Sequence, residues 1–369
     1  MGAARTSRRS SRSAPASAAA SVSAPPLDVV CFGEILWDLF GDTRDSRSTH
    51  AQPIARVFHR ELGGAPANVA TALARLGVRS AIVGGIGIDK LGDAVEHQFV
   101  ADGVSTRFLV RLPNRTGLTF VTRDARGEPS FLFYRQDTAD VALRAEHVTA
   151  EMGHAKWVLV GTSTMMTPPL AAATERFLSV AEEAKANVVV DLNVREHLWA
   201  SKAQMRDAVS QLVRRASIVK GSFADLIALT GRRDILWLAD HAPKAVWIVT
   251  QGAKGASAIG THGFVARPAR KVKCVDATGA GDAFIAGVLA VLVQANATPD
   301  SPAWKDERIW GAALDAGHAM GAKAVSRVGA VAGLDRLDEV KAFIKRVRSF
   351  AGTAKVRGSA ARSARKRSK

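Results

Sequence analysis

Cysteine is scarce in this sequence, since only Cys31 and Cys274 occur in 369 residues. Two thiols in a chain of this length do not form the disulfide framework of a small secreted domain. No paired spacing of histidine and cysteine indicates a zinc site either. Both cysteines lie in apolar stretches with strand character, so we expect two buried, reduced thiols.

Long apolar runs are also absent. No stretch approaches the roughly 18 uncharged apolar residues of a membrane-spanning helix. Residues 1–26 are rich in Ser, Ala and Arg and lack the apolar core of a secretory signal. Their composition fits a disordered basic arm as well as an organelle transit peptide. We therefore predict a cytoplasmic protein without membrane contact, with organelle import as the alternative.

Acidic residues are missing from both ends of the chain, which accounts for most of its formal net charge of +17. Residues 1–26 carry +4 and residues 350–369 carry +7, which leaves +6 for the predicted domain over residues 27–349. The C-terminal stretch has the composition of a disordered basic tail. Nucleic acid or an acidic partner is the kind of molecule that such a tail could contact.

Between these ends, apolar runs rich in Val and Ile alternate with stretches of helical period. Strand-like runs include LDVVCFGEIL, SAIVGGIG, KWVLVGTS, NVVVDLN and AVWIVTQGA, and helical stretches include PANVATALARLG and AQMRDAVSQLVRRA. Strands without polar alternation, separated by helices, are typical of a parallel sheet buried on both faces. We therefore predict a three-layer α/β/α domain with a mostly parallel central sheet.

Two regions interrupt this alternation and predict a small second sheet. Residues 114–136 read as a hairpin, with alternating residues on either side of the turn RDARGEP. Residues 39–60 are polar and irregular. Each region follows a predicted element of the main domain, and these elements should end at the same edge of the main sheet. We expect them to form a β-sheet lid that closes a site against water.

Two common nucleotide-binding motifs are missing. The sequence has no G-x-x-x-x-G-K-[ST] P-loop, and GGIGIDKLG lacks the third glycine of a dinucleotide fingerprint. A P-loop ATPase and a Rossmann oxidoreductase are therefore disfavoured.

A first glycine-rich helix start is present in ELGGAPANVATALARLG. Gly63 and Gly64 precede the helix, Pro66 lies in its first turn and Asn68 lies one turn in. On its own, this segment indicates an ordinary helix start whose asparagine faces solvent.

A second glycine-rich helix start follows in KCVDATGAGDAFIAGVLAVL. Gly279, Ala280 and Gly281 leave three consecutive amides unshielded, as the close approach of a phosphate requires. Asp282 would repel an anion unless it has another role. The plain alternative is an aspartate that stabilises a helix N-terminus.

Together and in this order, the two helix starts resemble those of the ribokinase-like sugar kinases, the PfkB carbohydrate kinases, and most closely fructokinases. The resemblance spans about residues 28–345 and rests on FGEILWDLF, LGGAPANVATALARLG, FLFYRQDTADVAL, DLNVREHLW, KGSFADL, VTQGAKG and DATGAGDAF. It implies the transfer of a phosphoryl group from ATP to a sugar hydroxyl, with Mg²⁺ as cofactor and with K⁺ as an activator in some members.

The resemblance assigns catalysis to the second helix start. Asp282 would act as general base on a sugar hydroxyl, and the amides of Gly279, Ala280 and Gly281 would stabilise the charge of the transferring phosphoryl group. The sugar oxygen would then lie between the carboxylate and the anion, so that both charges have a role in one in-line transfer.

The resemblance also implies a set of sugar-binding residues. The carboxylate at the end of the first strand matches an acceptor for a sugar hydroxyl, and the first helix start matches residues that hold other hydroxyls. Two arginines match those that flank the sugar or phosphate end in fructokinase-like members, with structural ion pairs as the alternative. The implied residues are Asp38, Gly63, Gly64, Asn68, Arg135 and Arg195.

Nucleotide and metal binding are implied nearer the C-terminus. Asp225 matches a glutamate that arranges magnesium-bound water, although it is one methylene shorter, and Asp276 matches a residue near the activating K⁺. His318 falls where a late helix meets adenine, with a surface or core histidine as the alternative. The implied nucleotide-binding residues are Ser222, Asp225, Thr250, Gly252, Gly255 and His318.

Fructose, phosphorylated on a primary hydroxyl, is the predicted acceptor. A 2-keto-3-deoxygluconate kinase usually shows several tyrosines where FLFYR offers Phe131, Phe133 and only Tyr134. A ribokinase has a sugar-contacting asparagine where GEILWD places Leu36. These two sugar kinases are the alternatives within the family.

Two further expectations concern partners. A non-catalytic fructokinase-like protein of nucleic-acid complexes is an alternative from a different class, but the intact Asp282 and Gly-Ala-Gly segment favour an active kinase. The apolar hairpin with Phe131, Phe133 and Tyr134 predicts a homodimer through the lids. Packing of these aromatic rings on their own domain is the alternative.

Overall fold

The computed structural model describes residues 25–41, 55, 57–123, 129–232 and 236–347. The predicted basic arm and basic tail lie almost entirely outside these ranges. Most of the irregular segment 39–60 also lies outside them. No helix in the described part of the chain is long and apolar enough to cross a membrane.

The strands in chain order are β1 (Leu27–Phe32), β2 (Leu36–Gly41), β3 (Phe58–Gly63), β4 (Ser80–Gly87), β5 (Leu109–Leu112), β6 (Gly117–Arg123), β7 (Pro129–Tyr134), β8 (Ala155–Gly161), β9 (Asn187–Asp191), β10 (Ile218–Ser222), β11 (Val246–Thr250), β12 (Ala256–Gly260) and β13 (Gly263–Arg267). The α-helices are α1 (Ala65–Arg75), α2 (Lys90–Asp102), α3 (Pro168–Glu183), α4 (Lys202–Arg214), α5 (Phe223–Thr230), α6 (Leu236–His241), α7 (Ala280–Ala295) and α8 (Glu307–Ala324). A further helical stretch covers residues 338–347.

Nine of these strands form the main sheet, in the order β13-β12-β11-β10-β9-β8-β1-β4-β5. The pairs from β11 through β5 are parallel, and only β12 and β13 add antiparallel pairs at one edge. The mostly parallel sheet that the Val- and Ile-rich runs predict is therefore confirmed.

Alternate strand residues pack on opposite faces of this sheet. In β1, Val29 and Cys31 join the core that contains α1, α2, α7 and α8. Val30 and Phe32 point the other way, into the core that contains α3, α4 and α5. Because both faces are covered, residues 29–32 of β1 are all apolar, and the predicted three-layer α/β/α architecture follows.

The small second sheet is also confirmed, with strand order β3-β2-β6-β7. Its β6–β7 pair is the antiparallel hairpin predicted over residues 114–136. Strand β2 joins β3 on one side and runs parallel to β6 on the other. The small sheet therefore combines segments that lie far apart in the chain.

The predicted single strand LDVVCFGEIL is wrong, because the chain changes sheets within it. At Gly33 the backbone has φ +150°, and a Cβ there would lie 2.7 Å from Pro66 Cγ. Strand β1 of the main sheet ends at Phe32, and β2 of the small sheet begins at Leu36. Asp38 therefore lies inside β2, and the prediction that it ends the first strand is corrected.

The two cysteines differ in environment. Cys31 is buried in β1, as predicted, and this burial raises the pKa of its thiol. Cys274 is exposed and lies in the connection between β13 and α7 rather than in a buried strand. The prediction of a buried thiol at this position is wrong, because apolar neighbours in sequence do not distinguish an exposed connection from a strand.

Candidate active site

A cavity of about 270 Å³ lies between the small sheet and the N-terminal ends of α1 and α7. The nearby main-sheet strands end there, which is the usual ligand position in an open α/β sheet. The predicted site residues that line it are Asp38, Gly64, Asn68, Arg135, Arg195, Gly279, Gly281 and Asp282.

Asp282 lies in the first turn of α7, where only 8% of its surface is exposed. Burial raises the pKa of its carboxyl, while the hydrogen bond from Asn68 and the charges of Lys220 and Arg195 lower it. The donor is Asn68 Nδ2, 2.8 Å from Asp282 Oδ2. The carboxylate is thus held in one orientation at the wall of the cavity.

Asn68 does not face solvent, unlike the asparagine of an ordinary helix start. It is buried on α1, which packs against α7. Its Oδ1 is also buried and accepts no hydrogen bond from the described residues. Because Asn68 lines the cavity, this oxygen is an acceptor in place for a hydroxyl group.

The turn before α7 has a conformation that requires glycine at position 279. Gly279 has φ +73°, and a Cβ there would lie 2.5 Å from Ala330 Cα. Asp276 fixes the turn by accepting bonds from Thr278 N (3.0 Å), Thr278 Oγ1 (2.8 Å) and Gly329 N (3.0 Å). The start of α7 is therefore held before any ligand arrives.

The three predicted anion-hole amides are not equivalent. The amide of Ala280 donates to the carbonyl of Ala277 at 3.3 Å, and Ala280 does not border the cavity. Gly279 and Gly281 do border it. The positive end of the α7 dipole thus reaches the cavity at these two glycines.

Asp38 is buried on the small-sheet side of the cavity. Its burial and the negative charge of Asp282 raise the pKa of its carboxyl to about 7. Gly63 is outside the cavity wall but makes room for Asp38, since a Cβ on it would lie 2.5 Å from Asp38 Cγ. Two carboxylates therefore face one small volume, where a group with several hydroxyl donors would satisfy both.

Gly64 and Glu34 form the part of the wall next to α1. A Cβ on Gly64 would lie 2.2 Å from the Glu34 carbonyl oxygen, so only glycine fits. The Glu34 carboxylate accepts bonds from Ala65 N at 3.2 Å and from Ser163 Oγ at 2.7 Å. This contact ties the start of α1 to the loop after β8.

Arg135 takes part in an ion pair and also lines the cavity. Its Nε donates to Asp140 Oδ2 at 2.7 Å, and its side chain is 9% exposed. Thr138 Oγ1 donates to the other oxygen of Asp140 at 2.6 Å. The structural ion pair that stood as the alternative is thus present, and it fixes the guanidinium at the cavity wall.

Arg195 is exposed and forms no ion pair with the described residues. Its guanidinium carbon lies 5.8 Å from the ring centre of Phe131, and His197 stacks on Phe133 at 6.1 Å. Phe131 and Phe133 belong to β7, so these contacts join the small sheet to the main domain at the cavity mouth.

Ser222 and Asp225 lie outside the cavity wall and bind each other in a capping box at the start of α5. Asp225 Oδ2 accepts from Ser222 N and Ser222 Oγ, and Oδ1 accepts from Val194 N, each at 2.7 Å. Within the described ranges, no group of three His, Cys, Asp or Glu side chains could hold a metal ion. Both oxygens of Asp225 are thus engaged by groups of the protein itself.

Thr250, Gly252 and Gly255 also lie outside the cavity wall, at the end of β11 next to Ser222 on β10. Gly252 has φ +57° and open space around it. A Cβ on Gly255 would lie 2.2 Å from the Arg267 carbonyl oxygen. The loop is thus a backbone surface with little side-chain cover.

His318 is buried in α8, away from the cavity. Its Nε2 lies 3.1 Å from the Arg267 carbonyl oxygen, and its ring meets Phe284 edge to face at 5.2 Å. Burial lowers the pKa of its imidazole. This environment agrees with the core histidine that stood as the alternative.

Sequence reasoning missed several residues of the wall. Glu34 and Lys220 are charged residues within or beside apolar strands, and that unusual placement is the signal that could have identified them. Thr119, Ser163 and Asn193 have no such signal. Their side chains reach the cavity only because β6, β8 and β9 come together in space.

The fold and the cavity define a class of protein. A three-layer domain with a small second sheet, and a buried carboxylate at a glycine-rich helix start, is the arrangement of a ribokinase-like sugar kinase. The family model described as pfkB family carbohydrate kinase matches residues 26–337. The chain belongs to the PfkB family, and it is a carbohydrate kinase that phosphorylates an alcohol group.

Individual relatives agree with this assignment. Fructokinase-1 of Zea mays is 34% identical over 326 residues, which are 86% of this chain and 98% of that protein. A fructokinase structure with bound ATP from Xylella fastidiosa has a TM-score of 0.73 and 32% identity, covering 86% of this chain and 98% of that one. A Vibrio cholerae O395 fructokinase in a fructose-, ADP- and calcium-bound form has a TM-score of 0.73 and 27% identity, covering 86% and 99%.

Proposed function

We propose that this chain is an ATP-dependent fructokinase in which Asp282 is the general base. The observation that carries the proposal is the position of Asp282, which is buried in the first turn of α7 beside Gly281 and bound by Asn68. Its relatives include fructokinases, one of them with fructose and ADP bound.

In the proposed reaction, a primary hydroxyl of fructose donates its proton to Asp282, and its oxygen attacks the γ-phosphorus of ATP. Gly279 and Gly281 stabilise the charge of the phosphoryl group at the positive end of α7. Because the transition state of such a transfer is loose, positioning and charge stabilisation supply most of the catalysis.

The sugar is proposed to lie between α1 and the small sheet, which we call the sugar end of the site. Asn68 Oδ1 and the Asp38 carboxylate are acceptors for its hydroxyls, and Arg135 flanks it. A keto-deoxygluconate or ribose kinase uses the same mechanism, so both remain alternatives. The fructokinase names among the relatives favour fructose.

ATP is proposed to lie along the ends of β10 and β11, which we call the nucleotide end. Thr250 and the backbone of Gly252 and Gly255 would hold its phosphates and ribose. Mg²⁺ shields phosphate charge during such a transfer and would be held through water near Asp225. Asp276 is committed to the turn before α7, so a K⁺ ion would be bound mainly by backbone oxygens near it.

A homodimer through the small sheets is also proposed, but its contact surface differs from the one predicted from the sequence. Phe131 and Phe133 line the cavity and are therefore unavailable to a second copy. Leu132 and Tyr134 point the other way and are each 58% exposed. Sedimentation of the parent and of Leu132→Lys tests this surface, because a dimer through it would dissociate in the variant.

The test of the function is ATP-dependent phosphorylation of a sugar panel by the parent and by Asp282→Asn. We expect fructose turnover, with kcat reduced about 10²- to 10⁴-fold in the variant. Asp93→Asn is the matched control, because Asp93 lies in the first turn of α2 on the surface. Turnover of another sugar would change only the acceptor. Equal activity of Asp282→Asn and parent would exclude the base.

A further inference from the structure

Lys220 is a charged residue in the middle of an apolar strand. It occupies β10, is 6% exposed, and pairs in register with Asp191 at the end of β9. Its Nζ lies 2.9 Å and 3.1 Å from the two Asp191 carboxylate oxygens. Burying an ion pair is costly and rarely more stable than an apolar pair of the same volume. Stability alone therefore gives little reason for a lysine here.

The ammonium of Lys220 reaches the start of α7. A Cβ built on Gly281 would lie 2.8 Å from Lys220 Nζ, and the next nearest atom is Lys220 Cε at 3.7 Å. Lys220 and Gly281 both line the cavity. The missing side chain at position 281 is what lets the ammonium approach the helix start on the cavity side.

The surroundings of Lys220 keep it charged. Burial lowers the pKa of its ammonium, but the negative charges of Asp191, Asp225 and Asp282 raise it by more, so the net shift is upward. An ammonium has three N–H donors, and the Asp191 carboxylate can engage two of them. At least one donor is left for a group in the cavity.

We propose that Lys220 is a catalytic residue that contacts an oxygen of the γ-phosphoryl group during transfer. The inference rests on the proposed kinase function and adds a side-chain cation to the two glycine amides. The bond that forms joins the sugar oxygen to the γ-phosphorus, and the bond that breaks joins that phosphorus to the β–γ bridging oxygen. The hydroxyl proton passes to Asp282, ADP leaves with the bridging oxygen, and Lys220 keeps its proton throughout.

A structural role makes a different prediction. If Lys220 only neutralises Asp191, then removing both charges together should restore activity. If its ammonium stabilises the phosphoryl group, a protein that lacks both charges should fold well but still have a low kcat. The double variant Lys220→Met/Asp191→Asn separates these roles, because it leaves no unpaired charge from the pair.

The experiment measures kcat, KM for the sugar, and ADP affinity with and without aluminium fluoride, a mimic of the transferring phosphoryl group. The proteins are the parent, Asp191→Asn, Lys220→Met and the double variant, with thermal melting as the folding check. We expect kcat to fall about 10²- to 10³-fold in both proteins that lack Lys220. KM for the sugar and affinity for ADP alone should stay within about threefold, because the contact belongs to the transition state.

The fluoride measurement separates this inference from the proposed function. Loss of fluoride-dependent ADP affinity in the double variant, with Asp191→Asn retaining it, would support a phosphoryl contact even if the parent phosphorylated no sugar in the panel. A double variant with the kcat and the fluoride response of Asp191→Asn would overturn the inference. In that case Lys220 would serve only to balance the buried carboxylate.

Discussion

The proposed sugar end and the proposed nucleotide end of the site are built in different ways. At the sugar end, side chains face the cavity and hold one another, as in the bond from Asn68 to Asp282. At the nucleotide end, Ser222 and Asp225 are bonded to each other, and Asp225 also accepts a bond from Val194 N. The loop after β11 presents its backbone. The difference indicates that side-chain chemistry is concentrated at the sugar end, while the nucleotide end depends on chain conformation.

Among the substitutions that test this difference, Gly279→Ala should reduce kcat the most. In Gly279→Ala, the new Cβ would lie 2.5 Å from Ala330 and displace the turn before α7. We expect kcat to fall on the order of 10³-fold, because the anion hole loses its geometry. Gly103→Ala is the matched control, since its φ is also positive, its Cβ would meet nothing within 4 Å, and it lies at the end of α2 outside the cavity wall. Steady-state kinetics should show less than about a tenfold loss for the control. Equal losses would mean that the effect of Gly279→Ala does not come from the anion hole.

Asn68→Ala should have the next largest effect. It removes the donor to Asp282 and the free acceptor Oδ1 together, at a cost of roughly 10- to 100-fold in kcat/KM. The acid limb of the pH profile should also move to higher pH, because the hydrogen bond from Asn68 lowers the pKa of Asp282. Thr71→Val, one turn further along α1, is the control, since the buried Thr71 hydroxyl has no partner among the described residues. An unmoved limb in Asn68→Ala would show that Asn68 does not act on the base.

Asp38→Asn tests how much the buried carboxylate at the sugar end destabilises the fold when it is ionised. The pKa of Asp38 is raised from 3.8 to about 7, so the folded protein binds more protons than the unfolded chain between these values. The free energy of unfolding should therefore fall as pH rises through this window. Asp38→Asn should reduce that slope and be more stable than the parent at about pH 8, while its KM for the sugar rises. Urea unfolding at about pH 5 and about pH 8 measures the slope, and identical slopes would mean that Asp38 ionises normally.

Ser222→Ala, at the nucleotide end, should have the smallest effect of these substitutions. It removes the side-chain cap of α5, which costs about 1 kcal/mol of stability. Because Asp225 keeps its bonds from Ser222 N and Val194 N, we expect kcat and KM for ATP to change by less than about threefold. Thermal melting and ATP titration in kinetics check both numbers. A large rise in the magnesium requirement would show that the Ser222 hydroxyl takes part in the metal site.

Sequence periodicity predicted the layers of the fold but not the change of sheet at Gly33. Val and Ile runs without polar alternation indicate burial on both faces, and that signal is local to each strand. The run LDVVCFGEIL leaves the main sheet after Phe32 and reaches the small sheet only at Leu36. At Gly33, between the two, a side chain would meet Pro66, which is distant in sequence. For the same reason the sequence could not place Asp38 in the small sheet.

For the site, motif matching brought the helix starts of α1 and α7 together, and the structure gives the contact between Asn68 and Asp282. It did not identify Lys220, because a single lysine in a strand has no spacing pattern. Only the register of β9 and β10 shows that its charge is paired with Asp191 and directed at Gly281. Spacing along the chain predicts residues on one element, whereas contacts between strands require the fold.

The sequence contains one tyrosine, and it lies on the outer face of the small sheet. Tyr134 is 58% exposed and meets the Phe120 ring edge to face at 5.3 Å. A protein grown with fluorotyrosine would therefore give a single fluorine resonance from β7. That signal would follow the small sheet alone while sugar and nucleotide are added in turn, without a mutation and without interference from the rest of the chain.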